Sequence, residues 1–316
     1  VSEQPDLQRY LQRRRLHNYE QGMARLTYAY GVDVRRSRWL AASTIGNSLV
    51  RAVDRRWPRL TEELMEQDLR DPGSTLPMEL LQRIGRLRHL LRAPLPALRV
   101  LTPHARASGQ WPLLTPLGPT HGDIHWLAVD VEGLAEAPTE HLDFLIGSAL
   151  GHLQCDHGVY FTAHLLAARR EGFAFGVLHR ALTPWSRVMV FSADRAGMLA
   201  TGHLSTALAV LRARAERDAR IHWLPRWPPL EVRERALEEF DRSVVMARMR
   251  AIRARAADDD EISVFESSAD RSEDPGQEAP PSPAPAKDAD EGLGIPEDAW
   301  SLARCDARLT ERLGLL

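Results

Sequence analysis

The side chains able to do chemistry crowd into one stretch, Glu140–His157, which reads Glu-His-Leu-Asp-Phe-Leu-Ile-Gly-Ser-Ala-Leu-Gly-His-Leu-Gln-Cys-Asp-His. Its histidines raise the question of a metal site, and Ser148 with His152 that of a nucleophile with its base. On a straight helix His152 and His157 stand about 140° apart, so they do not hold one ion together. His157 and His164, seven apart, share a face. Ser148 and His152, four apart, lie within reach of each other as a serine–histidine dyad would. A nucleophile in mid-helix has no evident oxyanion hole, however, and the chain contains no Gly-x-Ser-x-Gly elbow. Cys155 and Cys305 form no Cys-x-x-Cys pair, which points to a reducing compartment.

A zinc-peptidase helix of the His-Glu-x-x-His type sets two histidines on one face to bind metal. The glutamate beside the first acts as general base on the metal-bound water. In Ser148-Ala149-Leu150-Gly151-His152 the frame is present, but Ser148 stands for the first histidine and Ala149 for the glutamate. A second segment, Trp185-Ser-Arg-Val-Met-Val-Phe-Ser-Ala-Asp-Arg-Ala-Gly-Met-Leu-Ala200, completes a resemblance. Together the two segments resemble the gluzincin metallopeptidases, the family that contains the CAAX prenyl endopeptidases and the HtpX-like peptidases.

The resemblance covers about Leu98–Leu211 and implies a zincin-like core. It also implies a second helix with a Glu-x-x-x-Asp element, whose glutamate is the third zinc ligand and whose aspartate steadies a ligand histidine. Val190 stands at the glutamate position and Asp194 at the aspartate position, while His157 matches a further histidine that many members carry. The reading is a degenerate member, a pseudopeptidase, with no catalytic residue expected at Ser148, Ala149, His152, Val190 or Asp194 and no cofactor. The direction of change is physically coherent, because without a metal a buried glutamate is an uncompensated charge, and valine removes that penalty. Asp194 is expected to bond the Ser148 hydroxyl or to pair with Arg187 or Arg195. The enzymatic alternative is an active zinc metalloendopeptidase with His152, His157 and Asp194 as rearranged ligands.

These residues need elements to position them, and the chain reads as mainly α with a small β-sheet (α+β). Residues 1–93 carry helical periodicity, with breaks expected at Gly31, Pro58 and Asp71–Pro72–Gly73. A metallopeptidase-like core follows over 94–229. Within it, Pro94–Pro119 is loop or short strand, and Ile124–Val131 is one strand, lying where the family has the edge strand beside its cleft. One long helix is expected from Thr139 through Arg170 and another from about Pro184 to Ala219. A charged helix over 230–257 precedes an acidic, proline-rich linker over 258–294, expected to be disordered. Residues 295–316 return to amphipathic periodicity.

Binding of a protein partner is the function expected of such an inert core. An extended peptide added to the strand would meet Ile124, Trp126, Val129 and Val131. The C-terminal helix, with Trp300, Leu302, Leu309 and Leu313 as docking residues, either folds back on its own domain or binds a partner.

Charge and composition bound the alternatives. The net charge of −2 over 316 residues hides 12 acidic residues against Arg271 and Lys287 between Asp258 and Glu291, a balance of −10 that leaves +8 elsewhere. A basic nucleic-acid-binding scaffold is the third reading, but no arginine block is interleaved with aromatics as stacking platforms require, so nucleic acid is not expected. No run reaches the ~20 apolar residues of a membrane span, and Val1–Arg15 lacks the apolar region of a secretory signal. The expected location is cytoplasmic.

Overall fold

The computed structural model describes residues 28–119, 125–169, 173–251 and 295–315. Ile124 and the linker expected over 258–294 lie outside the described residues.

Four short strands form one mixed sheet in the order β1-β2-β4-β3: β1 is Leu69–Arg70, β2 Ala97–Leu101, β3 Leu114–Leu117 and β4 Trp126–Val129. β2 and β4 run parallel, with Ala97 opposite Trp126; β1 and β3 are antiparallel to their neighbours. β4 is therefore an interior strand and not the expected edge, and Val131 begins a helix instead of ending the strand. Its alternation is real, but helices cover both faces. Leu127 and Val129 join a core with Leu145 and Leu150, while Trp126 and Ala128 join a second core with Leu60, Leu64 and Phe161. All four β4 residues are buried as a result.

The named helices are α1 (Gly31–Ala42), α2 (Thr44–Gln67), α3 (Met78–Leu91), α4 (Pro103–Ala107), α5 (Val131–Ala135), α6 (Thr139–Gln154), α7 (Gly158–Arg169), α8 (Phe173–Thr201), α9 (Leu204–Arg220), α10 (Leu230–Asp241) and α11 (Leu302–Arg312). Residues 244–251 are also helical, so the charged helix expected over 230–257 is interrupted at Arg242 and Ser243. Pro58 lies inside α2 and does not break it, and Pro184 lies inside α8. The helix expected from Thr139 to Arg170 is two helices, because Asp156 takes a left-handed φ of 56° between them. The helix expected to reach Ala219 likewise breaks at Gly202, whose φ of 77° is a conformation that glycine adopts at no steric cost. Among the described residues no helix is long and apolar enough to cross a membrane.

The expected boundary near residue 93 does not separate two cores. Leu80, Ile84 and Leu87 of α3 pack in the same cluster as α6 and α8, and α2 packs against α7. At the centre, α6 and α8 approach closely. A Cβ added to Gly151 would lie 2.4 Å from Ala196 Cβ, and one on Gly147 would lie 2.4 Å from Ala200 Cβ. Gly151→Val is accordingly expected to force the pair apart and cost about 1–3 kcal/mol, read as a lower urea midpoint with the slope unchanged.

The C-terminal segment docks on its own chain. Ser301 caps α11 by accepting from the Arg304 amide. Leu309 and Cys305 are buried, Leu309 among Tyr30, Val188 and Phe191. Tyr30 Oη lies 2.8 Å from Thr310 Oγ1. Arg195 Nη1 donates to Asp306 Oδ1 at 2.8 Å, and the Gly31 amide donates to Asp306 Oδ2. Trp300 pairs its backbone with Arg242 and Val244 and lies under the Arg304 guanidinium at 4.0 Å. Of the four residues expected to meet a partner, Leu309 is wholly enclosed, and Leu302 and Leu313 pack against the cores of the same chain.

Glu239 of α10 accepts from Arg308 Nε at 2.8 Å and Arg312 Nη2 at 2.7 Å of α11. Burial pushes its carboxyl up, but these two donors outweigh burial and hold its pKa below the ordinary 4.5. A carboxylate depressed in this way adds stability above its unfolded pKa and loses it as pH falls through the folded one. Between pH 5 and pH 3 the unfolding temperature of the parent chain is expected to fall more steeply than that of Glu239→Gln.

Candidate functional site

The positions singled out by the resemblance come from α6 and α8, two helices separated by a third. Ser148, Ala149 and His152 follow the buried face of α6, and Val190 faces them from α8. All four line one pocket, closed by Leu114 and Pro116 of β3, Trp227, and Arg233 of α10. The pocket holds about 20 Å³, room for little more than a water molecule. It is no groove for a peptide. Strand addition at β4 also lacks an edge: β4 is paired on both sides, and its outer neighbour β3 is buried beside α6 and α7 and carries Pro116, which has no N–H to offer. Trp126 and Val129 therefore serve the two cores.

Asp194 does not meet Ser148, Arg187 or Arg195. Its two oxygens accept from Arg233, Oδ2 from Nε at 2.9 Å and Oδ1 from Nη2 at 2.8 Å, and both side chains are buried. Arg195, one residue on, points about 100° away around the helix and serves Asp306 instead. This pairing takes Asp194 out of any ligand set. Beside it Arg214 holds Asp218 at 3.2 Å.

A zinc ion at the family's position requires two histidines and a glutamate. The residues present offer Ser148, His152 and Val190, with Ala149 where the general base would stand, and they do not fit the ion. Burial, followed by the charges of His157, Arg214 and Arg233, lowers the His152 pKa well below its usual value, so the ring is neutral near pH 7.

The turn at Asp156 overturns the helical-wheel argument for His152 and His157. Because the helix stops, the chain folds back and sets His157 Nδ1 3.0 Å from His152 Nδ1. On its other side His157 faces Asp33 of α1, with Nε2 3.1 Å from Oδ2. Ser192 Oγ donates to the same Oδ2 at 2.5 Å and accepts from the Tyr30 amide. Cys155 completes a buried Asp33–Cys155–His157 group. Asp33 did not stand out in the sequence, and Cys155 stood out only as a cysteine outside any Cys-x-x-Cys pair. The turn itself left a faint signal, since aspartate is among the few residues besides glycine that enter the left-handed region. His164, the other histidine spaced to share a face with His157, bonds Ser186 Oγ at 2.7 Å instead.

Comparison with known proteins yields nothing to set beside this geometry: no family model, no curated protein and no solved structure matches the chain.

Proposed function

We propose that this chain is a catalytically inert homologue of a gluzincin peptidase that acts by binding a protein. The observation that carries the reading is convergence: Ser148, Ala149, His152 and Val190, picked from two segments by their places in a peptidase motif, line one pocket whose one carboxylate among the described residues, Asp218, is paired with Arg214. Three of the four come from one helix, so the convergence lies in Val190 of α8 meeting them. The Arg233–Asp194 pair beside them supports the same reading, because the carboxylate that would steady a ligand is committed elsewhere. The partner would contact the outer surface of the core, since the pocket admits no peptide.

The purified full chain, supplied with zinc, is expected to leave casein and fluorogenic peptides uncut. Turnover that a chelator abolishes would overturn the proposal. The binding half is read with a stably co-purifying protein, whose complex is expected to survive deletion of residues 258–290, because the core and α11 are left intact. A full chain that hydrolyses nothing and forms no such complex would leave the inert core without its proposed role.

A further inference from the structure

We propose that Asp33, Cys155 and His157 form a binding site for a divalent transition-metal ion of the zinc class, away from the pocket where a peptidase would hold its metal. One ligand atom from each lies within 4.8 Å of the others, and all three side chains are buried. Asp33 lies in the first turn of α1, and the other two flank the left-handed Asp156. The 3.1 Å between His157 Nε2 and Asp33 Oδ2 is close to the ~3.3 Å edge spanned by two atoms that each sit ~2.05 Å from a tetrahedral zinc.

The independent observation is the state of the His157 ring, which is fully enclosed. Its Nε2 has no hydrogen bond, because Asp33 Oδ2 is near but out of line for one. In the tautomer with Nδ1–H donating to His152, Nε2 presents its lone pair to a carboxylate oxygen, an arrangement that a cation between the two would satisfy. The remaining contacts resemble those around a metal site: His152 holds the His157 ring through its other nitrogen, and the Ser192 hydroxyl orients Asp33. One thiolate, one imidazole and one carboxylate suit zinc, whereas magnesium and calcium take oxygen ligands.

A Cys-His-Asp nucleophile relay uses the same residue types, but it needs cysteine and aspartate at opposite ring nitrogens. Here the second nitrogen is taken by His152. Metal binding displaces the Cys155 thiol proton to solvent as the sulfur–metal bond forms. The ion would then tie α1 to the turn between α6 and α7.

The test is a cobalt titration of the full chain after chelation and dialysis. One equivalent of Co²⁺ is expected to give a sulfur-to-cobalt charge-transfer band that Zn²⁺ bleaches. Cys155→Ser should abolish the band and Cys305→Ser should keep it. Asp33→Asn and His157→Gln are each expected to weaken zinc binding at least about tenfold. Zinc should also raise the unfolding temperature of the parent chain and not that of Cys155→Ser. No band from a natively folded parent chain would overturn the proposal without recourse to any variant. So would a band that persists in Cys155→Ser or disappears in Cys305→Ser. Peptide hydrolysis enters none of these readouts, so this proposal and the inert-homologue reading fail separately.

Discussion

Asp194→Ala is expected to destabilise the fold by about 3–5 kcal/mol, because it leaves the Arg233 guanidinium charged and enclosed with its main partner gone. Arg233→Ala should do the same by stranding Asp194. The pair is bidentate and both residues are buried, so water cannot take the place of either. The double variant Asp194→Leu/Arg233→Met should recover most of the loss, since apolar side chains of similar volume satisfy such a site about as well as the ions. Urea unfolding of the four chains gives the coupling energy as a double-mutant cycle. A coupling near zero would show that the two charges do not depend on each other.

Leu309→Ala is expected to cost about 2–5 kcal/mol at the docking surface of α11. Leu309 is completely enclosed, and the helix it anchors brings Asp306 to Arg195 and Thr310 to Tyr30. Because α11 follows the rest of the fold in the chain, the loss should appear first as undocking. Amide exchange should quicken over Leu302–Arg312 and at the start of α1, where Gly31 leans on Asp306, while α6 and α8 stay protected. Unchanged exchange over α11 would mean that its attachment does not rest on Leu309.

Helices were the most legible part of the sequence, and their ends were the least. The apolar runs around Leu145–Leu153 and Val188–Leu199 were legible because those stretches are enclosed on every side, and the core of β4 could be placed by its alternation. The position of β4 within the sheet was not legible. Its partners β2 and β3 lie in a proline- and glycine-rich stretch that reads equally as loop, and a proline such as Pro116 is tolerated in a strand only because that strand is at an edge. The separation of α6 from α7 rests on one aspartate, which marks a turn far less plainly than glycine does. Missing that turn hid the His152–His157 contact. The Asp33–Cys155–His157 group was hidden for another reason: Asp33 comes from a helix more than a hundred residues upstream, and only tertiary packing brings it in. The partner of Asp194 escaped in the same way, for Arg233 sits in a segment that read only as a charged helix.

The grip of Arg233 on Asp194 has a consequence for the reversibility of the change, under the function proposed above. Restoring histidine at 148 and glutamate at 149 and 190 would add two carboxylic acids around a pocket of about 20 Å³, next to a carboxylate already claimed by a guanidinium. The restored histidine would find no free aspartate to hold it. Under that function, freeing Asp194 would require replacing Arg233, which leaves the carboxylate buried and unpaired. The pair would then work as a latch on the inert state.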